Sequence, residues 1–304
     1  MFEIIKPGTK IDFMGRRRIG FLFSGVVMLI GIISLILHGG PNYGIDFAGG
    51  TLVQVRFSQP LELDVIRDAL KEAGLESSSI QGFEAEGKGE YLIRMQTSSA
   101  DLGGLSVTIN DALTKRFGDK GFEVRRIEMV GPKVGKDLRT KGIMATILAM
   151  IGMLIYISWR FEFRFAVGGV VAICHDVIVT IGILSLANKE FSIPVLAALL
   201  TIVGYSINDT IVVYDRIREN MPRMQRERLE KVINVSVNET LSRTLLTGVS
   251  TLMVLIVLFF LGGGVIHDFT FALIVGIVFG TYSSVFIASA SVVVWENKFP
   301  KKKR

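Results

Sequence analysis

The chain has 304 residues, 50% of them hydrophobic and only 20% charged, with a mean hydropathy of +0.49. That balance excludes an ordinary soluble enzyme and a disordered chain. One cysteine and three histidines rule out a disulfide framework and offer no metal-ligand set, so neither a metal nor a cofactor is expected.

Residues 1–18 form a basic N-terminus with Lys6, Lys10 and Arg16 to Arg18, ahead of an apolar run from Ile19 to Leu37. This run is too long for a signal-peptide core, and it ends in Leu37-His38-Gly39-Gly40-Pro41 with no small-x-small cleavage pattern, so it reads as a retained first membrane span. Residues 38–141 have soluble character. Alternation over Thr51–Phe57 predicts a strand, and Leu63, Ile66 and Leu70 mark a helix that Gly74 stops. Ser79–Phe83 and Tyr91–Met95 read as strands about a turn at 86–89, Asp101–Phe117 as a second helix and Phe122–Met129 as a last strand. The order βαββαβ is the ferredoxin-like pattern.

Residues 142–295 hold five further spans, at Gly142–Trp159, Phe165–Ala187, Ile193–Tyr214, Leu245–Leu261 and Phe269–Trp295, none containing Lys or Arg. Each is long enough to cross a hydrocarbon core of about 30 Å. A basic tail, 296–304, follows. Arg160, Arg164 and the cluster from Arg216 to Arg243 lie in loops on the side of the termini, whereas the short opposite loops offer only Lys189. The positive-inside rule places both termini in the cytoplasm and residues 38–141 on the exported side. The basic excess is a topology signal, so no nucleic-acid partner is expected. The fold class is an α-helical polytopic membrane protein with six transmembrane helices and one exported α+β, ferredoxin-like βαββαβ domain.

Two carboxylates fall inside the predicted spans, Asp176 and Asp209. Ionisable groups in a membrane usually face a bundle interior or a water path, and Asp209 can there exchange a proton or act as a structural hydrogen-bonding group. It sits about 7–8 Å inside the end of the fourth span at Tyr214, with Ser206, Asn208 and Thr210 nearby. Arg243, two residues ahead of the fifth span, reads either as an interfacial anchor or as the cationic partner of Asp209. Both are expected near one membrane face, at the ends of consecutive antiparallel helices, with Thr247 a turn deeper. Asp176 is expected to be structural, and its neighbour His175 to point about 100° away, too far for a tight dyad. Gly276 and Gly280 have the small-xxx-small spacing of close internal helix packing. No Walker-type loop is present, so no nucleotide chemistry and no enzyme activity is expected.

Three segments resemble the SecD/SecF family of protein-export membrane proteins: Gly44-Ile45-Asp46-Phe47-Ala48-Gly49-Gly50-Thr51, Gly204 through Asn220, and Asn238-Glu239-Thr240-Leu241-Ser242-Arg243-Thr244. The resemblance implies a resistance-nodulation-division-type subunit of the preprotein translocase in a bacterial cell membrane. It implies a SecD-like partner, the SecY, SecE and SecG channel, YajC and YidC, with the proton motive force driving movement of the translocating polypeptide. On this reading Asp209 takes the proton, Arg243 is its switching partner, Thr247 a hydrogen-bonding neighbour, and Asp176 and Asn208 accessories. Gly44, Asp46, Gly49 and Gly50 form the junction after the first span, where Asp46 caps or pins the local turn. The rival readings are a proton-driven half-transporter for small molecules or lipids, and an assembly factor that transduces nothing.

Overall fold

The computed structural model describes residues 9–75, 78–85, 88–95, 102–118 and 121–299. Residues 1–8 and 300–304 of the two basic ends, and residues 86 and 87 of the predicted turn, lie outside that set. Among the described residues six helices are long and apolar enough to cross a membrane: α1 (Arg17–Leu37), α5 (Pro132–Arg160), α6 (Phe163–Leu186), α7 (Ile193–Arg223), α8 (Leu229–Leu261) and a sixth span over Ile266–Lys298. The sixth is composite: α9 (Gly264–Ser283) runs through a π-helical segment at Ser284–Ser289 into α10 (Ala290–Lys298).

Several helices outrun the apolar windows read from sequence, because helical hydrogen bonding continues wherever polar residues leave the hydrocarbon. α5 begins at Pro132 rather than Gly142, so the polar residues 132–141 extend the helix ahead of its apolar window. Pro132 and Pro194 occupy the first turns of α5 and α7, where a missing N–H costs nothing.

α6, α7 and the sixth span are central, with 56, 50 and 61% of their apolar windows buried, against 11–22% for α1, α5 and α8. The outer helices invert the soluble pattern. The buried residues of α1 are all small (Gly20, Ser24, Gly31 and Ser34), whereas Leu22, Leu29 and Ile36 face outward. Small residues let backbones approach where no hydrophobic gain exists over lipid. Gly31 and Gly182 show how closely: a Cβ built on Gly31 would lie 2.8 Å from the Gly182 Cα. Gly182→Leu is therefore expected to pry α1 from α6 and cost about 1–3 kcal/mol, read as a lowered melting temperature in detergent. An unchanged midpoint would show that this contact is dispensable. Gly276 packs internally as expected, since a Cβ there would strike the Ile202 side chain on α7 at 2.2 Å.

Between α1 and α5 lies the small domain: a short helix α2 (Ile45–Ala48), then β1 (Gly50–Phe57), α3 (Leu63–Glu72), β2 (Ser79–Ala85), β3 (Lys88–Met95), α4 (Leu102–Phe117) and β4 (Phe122–Val130). The sheet is antiparallel in the order β2-β3-β1-β4, the ferredoxin-like arrangement expected, with Val53 opposite both Ile93 and Ile127. Strand periodicity divides its two faces. Val53, Val55, Phe57, Tyr91 and Ile93 pack with Ile66, Leu70, Ile109 and Leu113 of the two helices. Leu52 and Leu92 point the other way and meet Ile45 of α2 in a second, smaller cluster. That second face turns toward the membrane bundle.

Candidate functional site

The three central helices meet around Asp176, which is 1% exposed. Its Oδ2 accepts hydrogen bonds from Ser206 of α7 at 2.5 Å and from Ser283 of α9 at 2.8 Å. Its Oδ1 lies 2.9 Å from the Nδ1 of His175. Helical geometry had argued against a His175–Asp176 dyad. The two serines hold one carboxyl oxygen, which turns the other back along the helix surface toward the imidazole. The predicted divergence of the Cα–Cβ vectors is thereby overcome at the side-chain tips.

The π-helical segment makes this possible. The Ser289 hydroxyl donates to the Ser284 carbonyl at 2.8 Å across this wider turn, and the Ser284 hydroxyl lies 3.1 Å from the Thr210 hydroxyl of α7. One extra residue per turn rotates the helix, so Ser283 and Ser284 both face the core. Neither serine was singled out from sequence, because a π-turn leaves no periodic signal.

Asp209 is 3% exposed and lies three residues beyond Ser206, one turn of α7 away, about 4.5 Å along the axis. Among the described residues its Oδ2 has no hydrogen-bond partner. Its neighbour on α8 is Arg243, close enough to act on it electrostatically but forming no ion pair with it. The two sit in mid-helix rather than at helix ends as expected. Asp209 is about 21 Å before the end of α7 at Arg223, and Arg243 about 21 Å after the start of α8 at Leu229. Equal distances from a short turn place them at one height on antiparallel helices, so their predicted level holds while the predicted helix ends do not.

Thr247 donates to the Arg243 carbonyl at 2.9 Å, and its hydroxyl is thus occupied by its own helix. Thr244, beside Arg243, is buried, and among the described residues its hydroxyl oxygen has no partner. Asn208 lies on an exposed face of α7 with Thr201 and Gly204, away from the buried carboxylates. Below Asp209, the motif residues lock the two helices. Glu239 of α8 accepts from Arg216 Nε at 2.7 Å and from Asn220 Nδ2 at 2.6 Å, both on α7. Asn234 and Asn238 bind the backbone at Ile11 to Met14. These clamp residues were visible only as parts of a motif, since nothing local says which chain they grip.

Asp46 caps a distant helix: its Oδ2 accepts from the Ile193 backbone N–H at 2.9 Å, closing the start of α7 from outside, whereas α2 itself has no side-chain cap. The N-cap residue Ser192 supplies no such bond. Gly49, φ +81°, and Gly50, φ +135°, carry the chain from α2 into β1. The junction is therefore tied to the same helix that carries Asp209.

The sequence matches the family described as protein export membrane protein SecD/SecF, C-terminal, over residues 109–298, and the SecD/SecF GG motif over residues 34–61. It is similar to the protein translocase subunit SecF of Magnetococcus marinus, 48% identical over 297 residues, covering 97% of this chain and 94% of that one. The corresponding subunit of Escherichia coli O157:H7 is 39% identical over 295 residues, covering 95% and 89%. The crystal structure of SecDF from Thermus thermophilus, a translocon-associated membrane protein, matches with a TM-score of 0.84 and 37% identity, over 95% of this chain and 39% of that chain. SecDF in a super-membrane-facing form, again 37% identical, matches at 0.70 over 98% of this chain and 40% of that chain.

Proposed function

Because the chain belongs to the SecD/SecF family of protein-export membrane proteins, we propose that it is a SecF-type subunit that uses a proton gradient to assist secretion across a bacterial inner membrane. The observation that carries this reading is Asp209, a buried carboxyl with an unsatisfied oxygen beside a guanidinium it does not pair with. Pairing with Arg243 favours the carboxylate, and separation favours the acid, so relative movement of α7 and α8 can load and release a proton. Asp176, held by Ser206 and Ser283, anchors α6, α7 and α9 around that moving pair. On this reading Thr247 acts through the Arg243 backbone it binds, and Asn208, on the exposed face of α7, takes no part in the pair.

A guanidinium exposed in the middle of a membrane-spanning helix is costly toward lipid. We therefore assign the open face of α8 that carries Arg243 to the SecD partner. The SecY, SecE and SecG channel, YajC and YidC complete the assembly on this reading. Both termini face the cytoplasm, and the small domain lies outside, beside the emerging polypeptide. The chain moves cargo and catalyses no covalent step.

Export into vesicles containing the assembled complex tests this. Adding a protonophore is expected to remove the portion of export that this chain contributes, and Arg243→Lys is expected to lower that portion about tenfold, because an ammonium lacks the planar fork of the guanidinium. Export by the complex that is indifferent to the protonophore would overturn the proton-driven reading.

A further inference from the structure

The face of the sheet opposite its core carries one buried ion pair into the membrane bundle. Alternation along β3 puts Tyr91, Ile93 and Met95 inside the small domain, and Leu92 and Arg94 outside it. The Arg94 guanidinium pairs with the Glu190 carboxylate in the α6–α7 loop and also donates to Gln81 at 3.1 Å. Glu190 is 8% exposed. It is surrounded by further charge. Its own backbone N–H donates to Asp268 of α9 at 3.0 Å, and Asp268 in turn sits 3.2 Å from the Lys189 ammonium and 3.3 Å from His267. Asp46 of α2, and Arg126 and Glu128 of β4, line the same cavity of about 170 Å³ as Arg94 and Glu190.

We propose that Glu190 is a proton-responsive latch that governs how firmly the small domain docks on the membrane bundle. Three carboxylates, Glu190 and Asp268 of the bundle and Asp46 of α2, crowd the interface, and Arg94 is the cation that the sheet brings to Glu190. When the domain lifts away, Glu190 regains water and Arg94 leaves it. The protonation state of this one group therefore differs between the two arrangements.

Burial, offset by Arg94 and reinforced by Asp268 and Asp46, pushes the docked Glu190 carboxyl up from 4.5 to about 7. The sign follows from linkage. A carboxyl that is harder to ionise when docked favours docking at low pH. That contribution is complete below its ordinary value and is lost as pH rises through about 7. Docking is thus tightest when the surrounding medium is acidic, and loosens toward neutral and alkaline pH. Between pH 5 and pH 8 the docked-to-undocked ratio is expected to fall about 70-fold. This inference concerns the interface alone and does not depend on the role assigned to Asp209.

The test is a distance measurement in the assembled complex in lipid nanodiscs. Cysteines replacing the exposed residues Lys71 and Leu186 carry spin labels, in a chain whose Cys174 is changed to Ala. The wild-type interface is expected to show one short distance at pH 5 and a growing longer population at pH 8. Glu190→Gln, a fixed stand-in for the protonated group, is expected to give the same distribution at both. Arg94→Gln removes the opposing cation and is expected to move the midpoint to higher pH. A wild-type distribution that does not change with pH would overturn the latch. So would pH dependence that survives Glu190→Gln and disappears in His267→Gln, which would assign the titration to the imidazole.

Discussion

Asp209→Asn is expected to abolish gradient-dependent export while leaving the complex assembled. The substitution keeps the size of the side chain and removes its ability to bind and release a proton. It introduces an amide donor at a buried Oδ2 position that has no hydrogen-bond partner, a local cost of about 1–3 kcal/mol. That is too small to unfold a bundle held by three central helices and the Glu239 clamp. The functional loss is larger. One charge moving through about 100 mV supplies roughly 2.3 kcal/mol, a bias of about 50-fold between two arrangements, and the Asn variant forfeits all of it. The measurement is export into vesicles with and without protonophore, alongside co-purification of the SecD partner as the assembly control. A variant that still responds to the gradient would remove Asp209 from the proton path. A variant that no longer co-purifies with SecD would make the residue structural.

The second large effect falls at the junction. Gly49→Val is expected to destabilise the protein by about 2–4 kcal/mol, because two penalties coincide. The residue sits at φ +81°, a region that β-branched side chains avoid, and a Cβ there would lie 2.8 Å from the Pro132 Cα at the start of α5. Neither side can yield easily. Gly49 N–H is bound to the Ile45 carbonyl at 2.8 Å, and the next residue, Gly50, pairs with Val130 across β1 and β4. Against a typical net stability of about 5–15 kcal/mol, the loss should appear as a sharply lowered melting temperature and faster proteolysis between α2 and β1. A normal melting curve would mean that α5 can move away and make room for the side chain.

These two sites were legible in the sequence to different degrees. Asp209 stood out because a carboxyl among apolar residues is costly wherever the helix packs. The glycines stood out as a motif, but their reason did not, since it lies in α5, more than eighty residues further on. Arg243 is legible in the sequence, but its position along the helix is not. A hydropathy window stops at charged residues, whereas the helix does not, so the predicted helix ends became mid-helix positions. The pairing of Asp46 with the α7 N-terminus, of Glu239 with Arg216 and Asn220, and of Arg94 with Glu190 had no sequence signal. Each joins residues from separate elements through polar groups that are unremarkable one at a time.

By itself the sequence determined the six spans, the βαββαβ order and the presence of two carboxylates among the helices. Those features follow from local physics, in which backbone groups in lipid must bond within their own helix and strand faces alternate every second residue. Only the tertiary structure decided which polar groups meet. Helix rotation, the π-turn and the docking of the sheet set that, and all three are governed by side-chain packing between distant segments. The serines around Asp176, the unpaired neighbours Asp209 and Arg243, and the buried Arg94–Glu190 pair are products of that packing.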